Sequence, residues 1–130
     1  PNGNNYSDVD LILLRLADVY LMRAEAKLRK GDNGGALADV NTVRTSRTAR
    51  PDQTPKPWTA ITLETLFRER GFEFYWEMSR RTDQIRFGKY EDTWTSKTDA
   101  DVKHRLFPIP QTAIDGASNT PGYLEQNDGY

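Results

Sequence analysis

The chain has 130 residues, 36% apolar and 28% charged, a balance that fits one globular domain with enough apolar surface for a single core. Eighteen basic against nineteen acidic side chains argue against a nucleic-acid surface, which needs an excess of cations, and no run of about 18 apolar residues offers a membrane span. The absence of cysteine excludes disulfides, thiolate nucleophiles and Cys-containing zinc sites, and a single histidine excludes paired-histidine HExxH metal chemistry.

A chain that opens on Pro1 reads as a piece of something longer. Residues 11–14 read as an extended lead-in. Residues 16–30 are built of strong helix formers, with Ala17, Tyr20, Ala24 and Leu28 on one stripe and Leu16, Val19 and Ala26 on a second. Two stripes predict neighbours on two sides. Arg29 and Lys30 complement the helix dipole, and Gly31 supplies the stop. After the GDNGG turn cluster, Ala36, Leu37, Val40 and Val43 recur at helical spacing. They predict a second helix that ends near Thr48 and runs antiparallel to the first, because the loop is short. Pro51, Pro55 and Pro57 make residues 50–61 a connector, since each proline lacks a donor and restrains its predecessor.

Thr62 caps a third, long helix on which Leu63, Leu66, Phe67, Phe74 and Met78 form one face, widened by Phe72, Tyr75 and Trp76. Gly71 in its middle is unfavourable by about 1 kcal/mol relative to alanine, which predicts close approach of another backbone. Residues 82–87 read as a short helical segment closed by Gly88. Beyond Tyr90, where three basic side chains face seven acidic ones and turn-forming residues concentrate, the chain reads as coil with one brief extended piece at residues 106–109. The fold class is therefore all-α, a helix hairpin plus a third helix and a loop-rich C-terminal segment, in one domain over residues 1–130.

The hairpin has the layout of one tetratricopeptide-type unit: Ala24 in the first helix, a Gly31-Asp32 turn, then Ala36 opening the second, with no second copy at a period near 34. Glu69, Glu73 and Glu77 recur every four residues. Two carboxylates facing a cleft are what glycoside hydrolysis needs. Here Arg70, Arg80, Arg81 and Arg86 interleave with them; Arg70–Glu73 is an i,i+3 pair and Glu77–Arg81 an i,i+4 pair. Glu69, Arg70, Glu73, Glu77, Arg80, Arg81, Asp83 and Arg86 accordingly read as a structural ion network that clamps the third helix to the chain's later segments. No catalytic residue, metal ligand or cofactor is assigned. His104 sits between Lys103 and Arg105 without a nucleophile turn, and Asp99 and Asp101 lack the spacing of a calcium loop. Asn5-Tyr6-Ser7 matches a glycosylation acceptor. Trp58 and Trp94 stand outside any periodic face. Each is either a plug for the core or a recognition surface on which a sugar ring stacks, and the two are the candidate ligand-binding residues.

The strings ADVYLMRAEAKLRKGD, ALADVNTVRTSR, ERGFEFYWEMSRRTDQIRFGKY, LFPIPQTAID and the closing QNDGY, in this order and separation, resemble the C-terminal region of the SusD/RagB family over nearly the whole chain. Glu69, Arg70, Glu73, Glu77, Arg80, Asp83, Arg86 and Gly88 fill that family's arginine-rich pattern; Met78 and Ser79 depart from it, where a Gly-His pair is frequent. The resemblance implies a tetratricopeptide-like scaffold under a loop-rich ligand face. It also implies a non-catalytic, nutrient-binding lipoprotein on the cell-surface face of the outer membrane of a Bacteroidetes-type bacterium. Its expected partners are an oligosaccharide ligand and a TonB-dependent, SusC-like outer-membrane channel, with no nucleic acid and with the membrane touched only through a lipid anchor outside this stretch. Two rival readings are a helical interaction module that binds a peptide or partner helix, and a glycosidase built on Glu73 and Glu77.

Overall fold

The computed structural model describes residues 13–47, 50–117, 120 and 122–130. The Asn5-Tyr6-Ser7 acceptor and Leu11 lie outside them. Five α-helices are present among the described residues and no strand; α1 is Leu16–Arg29, α2 Asn33–Thr45, α3 Leu63–Glu73, α4 Arg80–Arg86 and α5 Gln111–Gly116. The fold is all-α. Contacts gather into two compact units, Pro1–Arg80 and Arg81–Tyr130.

In the first unit, residues 13–15 are a non-helical lead-in and α1 then packs on both α2 and α3. Arg23 meets Asp39 while Lys27 meets Gly35, so α1 and α2 run antiparallel. Ala24 and Ala36 are fully buried with Leu21 and Val40, so small side chains stand in the core of the hairpin unit. The turn is tighter than GDNGG suggests. Gly31 takes a left-handed φ of 85°, and Asp32 caps α2 by accepting from the Gly35 amide at 2.8 Å, which lets the helix begin at Asn33 and include both later glycines. At its other end α2 stops at Thr45, short of the predicted Thr48. The second stripe of α1 does not find a neighbour among the described residues: Leu16, Val19 and Ala26 are exposed, as is Met22, three residues on from Val19.

Thr62 and Thr65 cap α3 reciprocally, each hydroxyl accepting from the other's amide at 3.1 and 2.9 Å. Leu66, Phe67 and Phe74 are buried along one side. The helix is shorter than its apolar pattern suggests. It ends at Glu73, and the Glu77 amide donates back to the Phe74 carbonyl at 3.0 Å, while Trp76 and Met78 adopt positive φ of 67° and 60°. Aromatic side chains lose rotamer freedom in a helix, and Tyr75, Trp76 and Met78 remain exposed among the described residues, with no burial to offset this. Instead of widening the core face, Phe72, Tyr75, Trp76 and Met78 project outward. Gly71 does accommodate a close approach, but from a side chain and not a backbone: a Cβ there would stand 2.8 Å from Nη1 of Arg80.

The second unit begins within α4, which Gly88 closes at φ 67°. Residues 106–109 are extended but join no sheet, because Pro108 and Pro110 remove donors. Their polar groups are met from the chain's last residues. Gln126 accepts from the Ile109 amide and donates to the Ile109 carbonyl at 2.8 and 2.9 Å. Asn127 donates to the Phe107 carbonyl at 2.7 Å, and the Tyr130 hydroxyl donates to that of Leu106 at 2.9 Å. The LFPIP and QNDGY strings thus form one hydrogen-bonded knot. The coil predicted beyond Tyr90 is interrupted by a 3-10 turn at Val102–Arg105 and by α5, whose six residues are too few to show periodicity in sequence.

Candidate functional site

A cleft of about 1050 Å³ opens in the first unit between the end of α2, the proline-rich connector and one side of α3. Its α3 wall is Thr65, Arg68, Glu69, Phe72 and Glu73, an i, i+3, i+4, i+7, i+8 series that forms one helical stripe beside the buried one. The end of α2 and the residues after it contribute Arg44, Arg47 and Arg50, and the connector contributes Trp58. With three prolines the connector cannot satisfy its own backbone, so side chains of α2 do so. Asn41 holds both polar atoms of Trp58, accepting from its amide at 2.7 Å and donating to its carbonyl at 2.9 Å. Arg44 donates to the Lys56 carbonyl at 3.1 Å, lays its guanidinium 4.4 Å from the centre of the indole ring, and pairs with Glu69. Trp58 is therefore half-buried, tethered and stacked by a cation, with part of its side chain left to line the cleft.

The three carboxylates spaced by four all meet arginines, and the arginines come from the hairpin and its lead-in. Glu69 meets Arg44; Glu73 meets Arg47 and, at 2.6 Å, Arg15; Glu77 meets Arg15. Spacing alone suggested arginines of the same helix for these carboxylates; the pairs seen here tie α3 to the hairpin and its lead-in. The end of α3 at Glu73 removes the helical register between Glu77 and Arg81. Arg70 reaches Asp18 of α1 at 2.9 Å. Arg80 donates to the Phe67 carbonyl at 2.8 Å with its guanidinium 3.7 Å from the centre of that ring. In the second unit Arg81 donates to the carbonyls of His104 and Arg105 at 2.8 and 3.0 Å, and Arg86 pairs with the buried Asp83 at 2.6 Å.

Trp94 is half-exposed in the second unit, where its backbone pairs with Lys97 in an isolated bridge and the Lys97 ammonium lies 4.9 Å from its ring centre. It lines neither this cleft nor the smaller one between residues 102–106 and 126–129. The tryptophan most open to solvent is Trp76, at 84% exposure, which sequence reasoning counted as core. Sequence reasoning also missed Arg15, Asn41, Arg44, Arg47, Arg50 and Arg68. A usable signal existed for two of them: Arg44 and Arg47 stand three apart in sequence, Arg44 in the last turn of α2 and Arg47 just beyond its end, close enough to meet a row of carboxylates.

Three carboxylates are held below their ordinary range, Glu91 among them through its hydrogen bond from Arg105. In the hairpin, the hydrogen bond from Arg23 holds the buried Asp39 carboxyl below the usual carboxylate range, aided by Lys27 and opposed by burial. Asp99 is lowered first by the Asp101 amide and then by His104, whose Nδ1 lies 2.5 Å from it. Among the described residues no three His, Asp or Glu side chains cluster in a way that could hold a metal, and no helix is long and apolar enough to cross a membrane.

The family model described as the SusD family matches residues 1–130. The chain is 37% identical over 134 residues to the starch-binding protein SusD of Bacteroides thetaiotaomicron, covering 96% of this chain and 22% of that protein. It is 34% identical over 143 residues to the SusD-like protein P25 of Formosa agariphila, covering 97% of this chain and 26% of that one. It thus spans about a quarter of the length of these relatives. With an all-helical fold built on an α-hairpin, and a family match that runs from Pro1 to Tyr130, the chain belongs to the SusD family.

Proposed function

We propose that this chain is part of a non-catalytic glycan-binding protein on the cell-surface face of the outer membrane. In this reading a lipid anchor outside these residues holds it there, and it hands its ligand to a TonB-dependent, SusC-like channel. The observation that carries the reading is the family match over residues 1–130; the name of one relative, a starch-binding protein, supports a glycan as ligand. Binding is favoured over hydrolysis by the carboxylate ladder. A glycosidase presents an acid and a second carboxylate to opposite sides of a bound sugar, whereas both oxygens of Glu73 and one oxygen each of Glu69 and Glu77 are engaged by Arg44, Arg47 and Arg15. The ion pairs of α3 then serve the scaffold, and Trp58 and Trp94 are the proposed ligand contacts.

The test is titration calorimetry of the full-length protein against neutral and acidic oligosaccharides, with Trp58→Ala and Trp94→Ala variants and a reducing-end assay alongside. Binding without release of reducing ends is the expected result. No binding to any glycan, or turnover lost in Glu73→Gln or Glu77→Gln, overturns it. The reading as a helical interaction module has one observation in its favour, the exposed row Leu16, Val19 and Met22 on α1. Capture of a helical peptide by that row, abolished by Val19→Asp, in a protein that ignores sugars, would replace the glycan reading.

A further inference from the structure

The cleft beside Trp58 has more positive charge than its own ion pairs use. Arg44 and Arg47 are matched by Glu69 and Glu73 in the same walls. Arg50 and Arg68 line the same space, are exposed, and make no ion pair among the described residues. Two uncommitted guanidiniums in one concave site, next to two further arginines, create a local positive potential; each guanidinium also offers a planar fork that fits a carboxylate or sulfate. The site is not a bare anion hole. Phe72, 72% exposed, stands one helical turn beyond Arg68 on the same stripe of α3, and the Arg44-covered indole of Trp58 stands on the connector wall. At about 1050 Å³ the cleft reaches the upper end of the usual range for small-ligand sites, room for an oligomer in place of a lone ion.

We propose that this cleft binds an acidic oligosaccharide, one that carries carboxylate or sulfate groups on its rings. Arg50 and Arg68 take the anionic substituents, and Phe72 takes the apolar face of a ring. The proposal rests on the glycan-binding reading and names a ligand class and a site for it. Arg44 and Arg47 keep their structural partners and shape the wall, so the specificity lies with Arg50 and Arg68. A neutral glycan leaves both guanidiniums unmatched and is discriminated against at this site.

The test uses the full-length protein and four probes: an oligogalacturonate, a neutral malto-oligosaccharide of the same length, inorganic sulfate, and a short polyglutamate. Calorimetry is run on the wild type, on Arg50→Gln with Arg68→Gln, and on Phe72→Ala. The substituted side chains are exposed, so an unchanged melting curve is the control for folding. The proposal expects oligogalacturonate affinity to fall about tenfold or more in the double arginine variant, the loss of one charge-assisted hydrogen bond or more. It expects a smaller fall in Phe72→Ala and weakening with added salt. Unchanged affinity in the double variant, or no oligogalacturonate binding while the neutral oligosaccharide binds, overturns the proposal and leaves the glycan-binding reading standing. Equal binding of sulfate or polyglutamate through Arg50 and Arg68 overturns the assignment of a sugar. Failure of both oligosaccharides to bind overturns the glycan-binding reading as well.

Discussion

Replacing Gly71 with alanine sets two effects of known sign against each other. Alanine is favoured over glycine inside a helix by about 1 kcal/mol, and Gly71 lies within α3. Its added methyl, however, would stand 2.8 Å from Nη1 and 3.0 Å from Cζ of Arg80. Ordinary contact begins at 3.4 Å, so the guanidinium must retreat by roughly half an ångström. That same nitrogen donates to the Phe67 carbonyl at 2.8 Å, and the same group stacks 3.7 Å from the Phe67 ring centre. A hydrogen bond from a charged donor contributes about 1.5–3 kcal/mol and a partly desolvated cation–π contact about 1 kcal/mol. Disturbing both outweighs the helix gain, and Gly71→Ala is expected to destabilise the protein by about 0.5–2 kcal/mol. In an Arg80→Ala background the obstruction is gone, and the same substitution should stabilise by about 1 kcal/mol. Urea unfolding of the four proteins of the cycle, followed by circular dichroism, gives the coupling directly. A Gly71→Ala effect of the same sign and size in both backgrounds would refute the reasoning.

Three further predictions follow from other contacts. Arg44→Ala should cost about 3–5 kcal/mol, because it leaves the Glu69 carboxylate, with 10% of its side chain exposed, unpaired at a buried position; an unfolding midpoint within error of wild type contradicts this. Asp39 is lowered in the folded protein, so its contribution is present above the unfolded carboxylate value near 4 and is lost as pH falls through the lower folded value. Stability measured from pH 6 down to pH 2 should drop more steeply in wild type than in Asp39→Asn, and parallel curves would remove Asp39 from the acid response. Gln126→Ala removes both hydrogen bonds to Ile109 and should cost about 1–3 kcal/mol, with faster hydrogen exchange at the Ile109 amide as its local signature. Unchanged exchange there would mean the closing residues do not hold the extended segment.

Local chemistry made much of the scaffold legible. The helix formers of α1, the Gly31 stop, the small residues Ala24 and Ala36, the Thr62 cap and the three prolines of the connector act through the chain's own neighbours, at separations of a few residues. Sequence periodicity reads such separations directly. The order of the motifs carried the family in the same way. Contacts between distant residues left no such trace. Spacing within α3 suggested that its glutamates pair with arginines on the same helix, but the groups that reach them belong to residues 15, 44 and 47. The apolar pattern ran on to Met78, yet the helix ended at Glu73, and Tyr75, Trp76 and Met78 beyond it gain no burial among the described residues.

The cleft is a tertiary object in the same sense. Arg50 and Arg68 are eighteen positions apart by number, on a connector and a helix, and neither stands out among the arginines until the fold gives Arg44 and Arg47 to Glu69 and Glu73. The presence of the hairpin helices and of α3, the turn chemistry and the kinship could be read from sequence, since these depend on backbone propensity and on residues close along the chain. Which cations are neutralised, which tryptophan faces water and where a hollow opens depended on three-dimensional neighbours, because Coulomb partners and burial are properties of distance in space.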